Sequence, residues 1–242
     1  MLNKLLLQTG EDVPFLTAGV TIHTPKLKEI GLIGERDFLI GCHFLNFSKD
    51  KLSDEDKSNL ENKSDFEIFM SVMNSREKAI HKTNGIMVLA LLFPQYEIKI
   101  TKDKILLQSE KNSSSINEQN FDDFKEILNQ LFCLTGEAED AYNPADALAA
   151  RIAEKIKKGK QKRNKQEIED NENFSVYENY LSILAVGLAK SKNELANYSI
   201  YQIREEFQRF IAKENYDIYI KAKLAGAQDL EEVSNWMDKL HP

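Results

Sequence analysis

The chain has 242 residues, 42% hydrophobic and 29% charged, with a formal net charge of -7. A chain of this length buries a core without a disulfide staple or a structural metal, and its composition is that of a folded soluble protein rather than a disordered one. The acidic balance excludes a surface devoted as a whole to nucleic acid, while a local basic patch stays open.

The opening "MLNKLLLQTGEDVPF" has a short apolar cluster, Leu5 to Leu7, followed at once by acidic residues and by no small-residue cleavage pattern. No secretory signal is expected from it. "PFLTAGVTIHTP" alternates β-formers with polar residues and closes on Pro25, which predicts a strand over residues 15 to 23. "KLKEIGLIGERDFLIGCHFLNF" carries Leu27, Ile30, Phe38, Leu39, Cys42 and Leu45 at spacings of three and four, with Gly31 and Gly34 expected to divide the helix. In "SDFEIFMSVMNS", Asp65 is the expected N-cap before an apolar face of Phe66, Phe69, Met70 and Met73.

The most apolar run, Gly85 to Pro94, is about half of what a bilayer crossing needs, and reads as a core helix that Pro94 terminates. Tyr96, Ile98 and Ile100 then recur at period two, the pattern breaks at Lys102 and Asp103, and it resumes with Ile105 and Leu107, which predicts a β-hairpin. With the strand before Pro25 it is expected to form one small antiparallel sheet. "EKNSSSINEQN" reads as a loop, and "FDDFKEILNQLFCL" as a helix with Phe121, Phe124, Ile127, Leu128 and Leu131 on one face, stopped by Gly136.

Asn143 as N-cap and Pro144 at the first helical position open another helix, whose seam of Leu148, Ile152 and Ile156 ends where lysines take over. Residues 158 to 173 hold one apolar side chain, Ile168, and read as a charged linker. Beyond it, "SVYENYLSILAVGLAK" and "SIYQIREEFQRFIAKENYDIYIKAKLAG" are amphipathic helices, and Asp229 with Glu232 resembles a capping box opening a final helix. On that helix Leu230, Val233, Trp236, Met237 and Leu240 make an apolar stripe, and Trp236 is expected to dock against Tyr216, Ile220 and Leu224. The expected fold is therefore α+β and predominantly α-helical. It comprises a mainly helical domain with a β-hairpin over 1–157, the linker 158–173, and an all-helical C-terminal subdomain over 174–242.

No catalytic centre is legible. His23, His43, His81 and His241 are scattered, and Cys42 and Cys133 stand alone among apolar neighbours, so neither a metal site nor a disulfide is expected. Cys42 and His43 are adjacent, and adjacent side chains on a helix diverge by about 100 degrees, so they do not pair as nucleophile and base. "TGEDVPF" and "GLIGERDF" lack the lysine and the strand-turn-helix context of a phosphate loop. Asp122 and Asp123 sit in a first helical turn, where the helix dipole accounts for them. The expectation is a non-enzymatic protein without a cofactor.

The candidate binding residues are the basic run Lys155, Lys157, Lys158, Lys160, Lys162, Arg163 and Lys165, and Trp236. Seven cations in this stretch could hold phosphates or an acidic protein face. No base-reading pattern accompanies them, and the acidic block Glu167, Glu169, Asp170 and Glu172 follows directly, so a solvated, self-neutralising segment is the favoured reading.

Five stretches, "TIHTPKLKEIGLIGE", "FPQYEIKITKDKILLQ", "FDDFKEILNQLFCL", "YNPADALAARIAEKIKKGKQK" and the segment from "YQIREEFQRF" to the end, carry a resemblance spanning most of the chain. They resemble structural-module proteins, tail and tail-assembly components, of tailed bacteriophages and prophages of low-GC bacteria. The resemblance implies a role in virion morphogenesis as a tail assembly chaperone or a minor tail or baseplate component. It further implies tape-measure, tail-tube or baseplate proteins as partners, and a site of action in the host cytoplasm during assembly or in the virion. It carries over no functional residues. The alternative is a nucleic-acid-binding regulator or packaging factor acting through residues 155–165.

Overall fold

The computed structural model describes residues 2–51, 60, 62–75, 79–110, 112–134, 175–228 and 232–237. In chain order the elements are α1 (Lys4–Thr9), β1 (Val13–Phe15), β2 (Val20–Ile22), α2 (Leu27–Ile33), α3 (Glu35–Leu45), α4 (Asp65–Asn74) and α5 (Ala79–Leu92). Then follow β3 (Glu97–Ile100), β4 (Ile105–Gln108), β5 (Ser113–Ile116), α6 (Phe121–Phe132), α7 (Val176–Gly187), α8 (Lys192–Leu195) and α9 (Ile200–Leu224). The fold is mostly helical α+β, with its sheets in the N-terminal region and helices α7 to α9 alone in the described C-terminal region.

The strand expected over 15–23 is two strands. Leu16–Ala18 form a 3-10 turn and Gly19 takes φ 66, so Val13–Phe15 folds back antiparallel on Val20–Ile22. Val13, Phe15, Val20 and Ile22 are buried while Pro14 and Thr21 face out, which is the alternation a one-sided ribbon requires. The hairpin forms in the expected register, with Ile98 opposite Leu107 and Ile100 opposite Ile105. A third strand, Ser113–Ile116, adds to it where serines and asparagines suggested a loop. Its low intrinsic β-propensity is overridden by pairing with β4 and by Ile116, which is fully buried. The two ribbons are separate sheets rather than one.

Apolar helix faces land where their periodicity puts them. Phe66, Phe69, Met70 and Met73 of α4 are buried, as are Phe121, Phe124, Ile127, Leu128 and Leu131 of α6. The N-cap of α4 is Ser64 rather than Asp65: Ser64 Oγ accepts the Glu67 amide, and Glu67 returns a bond to the Ser64 amide. Helix α6 ends at Cys133, in a left-handed conformation with φ 51, before the expected stop at Gly136, which lies outside the described residues. Gly34 separates α2 from α3 as expected, whereas Gly31 lies inside α2 and does not divide it.

Rings lock these faces together. Phe69 stacks on Phe121 at 5.0 Å, Phe38 meets Phe132 edge-on at 5.1 Å, and Phe15 contacts Phe124 at 5.8 Å. Helices α3 and α5 cross so closely that a Cβ on Gly41 would lie 2.6 Å from the Asn84 carbonyl oxygen. Only glycine allows that approach. The core continues without a break into Leu184, Leu195, Ile200 and Ile203 of the C-terminal helices.

Candidate interaction surface

Helices α7 to α9 are fastened to the N-terminal body by polar bonds as well as by apolar burial. The Glu35 carboxylate, in the first turn of α3, accepts from the Val176 amide at 2.9 Å and from the Ser175 hydroxyl. One carboxylate thus satisfies two groups at the start of α7 and sits at the positive end of two helix dipoles. Tyr177 lies beside it, and burial followed by the Glu35 charge pushes its phenol well above the ordinary tyrosine range. Burial likewise raises the thiol of Cys42.

A second seam joins α2 to the start of α9. The amides of Leu27 and Lys28 donate to the carbonyls of Tyr198 and Ala196, both at 3.0 Å. These bonds supply two of the orphan donors of α2 from the opposite end of the chain. Gln202 Nε2 donates to the Gln8 carbonyl at 2.7 Å, and Arg204 Nη1 to the Cys133 carbonyl at 3.0 Å. Nearby, His23 Nδ1 lies 2.8 Å from Asp12 Oδ1, and its Nε2 lies 3.3 Å from the Glu29 carboxylate. This cluster ties the Gly10–Asp12 turn to the start of α2.

Between α1 and α9 is an open cleft of about 380 Å³ lined by Gln8, Tyr198, Gln202, Glu205, Glu206 and Arg209. Its polar groups already bond to one another: Gln8 Nε2 reaches Glu205 at 3.4 Å, and Gln202 is engaged by Gln8. No group of three or more histidine, cysteine or acidic residues among the described residues has metal-binding geometry. No helix among them is long and apolar enough to cross a membrane.

The outward part of the C-terminal region has a different character. Helix α9 packs its inner face on α7, where Tyr180 and Phe207 stack at 4.3 Å with planes 20° apart. Gly187 lies so close to Phe210 that a Cβ there would meet the ring at 2.3 Å. Past Phe210 no residue of the helix is fully buried, although it runs on to Leu224. Val186 is 85% exposed, Ile218 62% and Leu224 83%.

The helix ends in a glycine-mediated reversal. Gly226 takes φ 86, the Ala227 amide donates to the Ala222 carbonyl and the Gly226 amide to the Lys223 carbonyl, which is the paired closure of a Schellman motif. The expected final helix is absent over 232–237: residues 232–235 have no regular structure and Trp236 and Met237 lie in a turn. The chain comes back along α9 as a strap, and the Trp236 carbonyl accepts from the Arg209 guanidinium. Trp236 is half-buried. Leu224, expected beneath it, is exposed because the strap reaches back to the level of Arg209. The apolar spacing read as helical thus serves a segment fixed by its backbone. Lys155, Lys157, Lys158, Lys160, Lys162, Arg163 and Lys165 lie outside the described residues, as does the helix expected from Asn143.

No curated protein and no solved structure matches the chain. Residues 171–241 match a family model described as the YomV second domain, YomV being a prophage-associated protein family of Bacillus, and helices α7 to α9 lie within the matched stretch.

Proposed function

We propose that this chain is a non-enzymatic prophage morphogenesis protein that acts through protein–protein contacts made by its C-terminal helices, as a tail assembly chaperone or a minor tail or baseplate component. The observation that carries this reading is the exposure of Val186, Ile218 and Leu224 on helices that lie within the prophage-family match. Large apolar side chains held in water on a well-formed helix favour a partner surface, because burying them is where association gains free energy. The resemblance of the longer stretches to tail-module proteins supports the choice of partner.

The experiment is co-expression with the tape-measure, tail-tube and baseplate proteins of the same gene neighbourhood, followed by affinity capture of the tagged chain. Capture of one of them, lost on Leu224→Glu, is the expected result. Failure to capture any of them overturns the tail assignment. Salt-sensitive DNA or RNA binding that disappears when Lys157, Lys158, Lys160 and Lys162 are replaced by glutamine would favour the nucleic-acid alternative instead.

A further inference from the structure

From Gln208 onward, one row of α9 and its C-cap carries Gln208, Ile211, Asn215, Ile218, Ala222 and Ala225, separated alternately by three and four residues. That spacing is the seam of a two-helix coiled coil, in which alternate positions fall on one stripe. All of these residues are exposed except Ala222, which is half-buried, and Ile211 and Ile218 are 40% and 62% exposed. The row lies between the face that meets α7 through Phe207 and Phe210 and the face that meets the strap through Arg209. Among the described residues it is an unfilled third face of a helix whose other two are occupied.

We infer that this row pairs with the same row of a second copy of the chain, antiparallel. The inference rests on the proposed use of α9 as a contact surface and adds a second copy of the chain as the occupant of this one row. In the symmetric antiparallel register, Ile211 faces Ala222 of the second copy and Asn215 faces Ile218 of the second copy. Each branched side chain thereby meets a smaller one, as interdigitated layers require.

Charge selects this arrangement. Glu214 and Lys221 flank the seam on the same side, and antiparallel pairing sets each Glu214 beside Lys221 of the other copy, twice over. Among the described residues Lys221 has no ion-pair partner, and Glu214 has only the long 3.7 Å contact with Lys213. Parallel pairing would set Glu214 beside Tyr219 and leave both charges unmatched. Shape points the same way: the N-terminal body surrounds the start of α9, so antiparallel helices carry their two bodies at opposite ends, and parallel helices would bring them together. Asn215 within the seam weakens the pairing and fixes its register. The seam spans roughly 25 Å, which suits a reversible dimer rather than a permanent one.

The test is sedimentation equilibrium of the purified full chain, with no tail protein present, so that it is scored independently of the capture experiment. The expected result is a concentration-dependent dimer. Ile218→Glu should give a monomer with an unchanged circular dichroism spectrum, since Ile218 is exposed within one copy. Glu214→Lys and Lys221→Glu should each weaken the dimer by about tenfold, and the double variant Glu214→Lys/Lys221→Glu should restore it. A monomeric mass at every concentration up to about 1 mM, a dimer that survives Ile218→Glu, or a double variant no tighter than the singles would each overturn the inference.

Discussion

Glu35 caps a helix that begins 141 residues further along the chain: its carboxylate takes the Val176 amide at 2.9 Å while its own backbone opens α3. The first turn of α7 therefore depends on a side chain of the N-terminal body. Replacing Glu35 with alanine should cost about 1–2 kcal/mol, the range for loss of a charged helix cap. Glu35→Gln should recover part of that, since an acceptor remains and only the charge is lost. Hydrogen exchange of the amides at 176–178 reports the effect directly; if they stay protected in Glu35→Ala, the carboxylate is not what holds the helix start.

Gly187 and Phe210 set the crossing of α7 on α9. Gly187→Ala puts a methyl 2.3 Å from the Phe210 ring, so the ring or the helix must shift. Overpacking of this kind costs about 1–3 kcal/mol. Adding Phe210→Leu should return part of the loss by making room, a non-additive pair visible in a double-mutant cycle of chemical denaturation. Additive losses would place the strain elsewhere.

Much of the N-terminal body was legible because its helices follow simple spacing. The stripes on α4 and α6 named their buried residues directly, and the period-two hairpin named its inward face, buried at Ile105 and Leu107 and half-buried at Tyr96, Ile98 and Ile100, since a 3.6 or a 2.0 repeat projects onto one face whatever surrounds it. What was not legible depended on partners distant in sequence. Ser113–Ile116 becomes a strand only because β4 offers an edge and Ser114 Oγ reaches the Ala18 carbonyl. The strap failed in the opposite direction. Leu230, Val233 and Trp236 have helical spacing, yet over 232–237 the chain forms no helix and is tied to α9 by a bond to the Trp236 backbone carbonyl, which no side-chain pattern encodes. The seam on α9 was within reach, since Ile211 and Ile218 stand seven apart, but the larger aromatic residues on neighbouring faces masked it.

Lys125 joins α6 to α4 through Asp65, at 2.8 Å, with Asp122 on its other side, also at 2.8 Å. Burial pushes the Asp65 carboxyl up, but bonds from Lys125 and from the Lys49 amide outweigh it and hold the group below its ordinary value. Burial pulls Lys125 down, and its two carboxylate partners hold it above. The stabilisation from Asp65 is therefore present above the ordinary carboxylate range and is lost as pH falls through its lowered folded value. That from Lys125 is present below the ordinary lysine value and is lost only as pH rises through its raised one. Asp65→Asn should cost about 1.5–3 kcal/mol at neutral pH, and the gap from wild type should close in acid, below about pH 4. Urea midpoints of the two proteins across that range check it; a gap that persists unchanged at pH 2 would mean that packing, not charge, is lost.

The strap is held by Arg209, and this decides what the single tryptophan reports. The bond runs to the Trp236 backbone carbonyl, so Trp236→Ala leaves it intact and removes only a half-buried ring. The cost should be about 1 kcal/mol or less, well under the roughly 2–5 kcal/mol expected for truncating the fully buried Leu184 to alanine. Arg209→Ala instead frees the strap without touching the core, so it should shift tryptophan emission to longer wavelength and increase quenching by acrylamide. The thermal midpoint of the body should move little in the same variant, because the strap contributes few buried apolar groups. Emission from the unaltered protein should be intermediate between buried and water-exposed. If that emission is already fully water-exposed and Arg209→Ala leaves it unchanged, the strap is not docked in solution, and the face of α9 beside Arg209 is open as well.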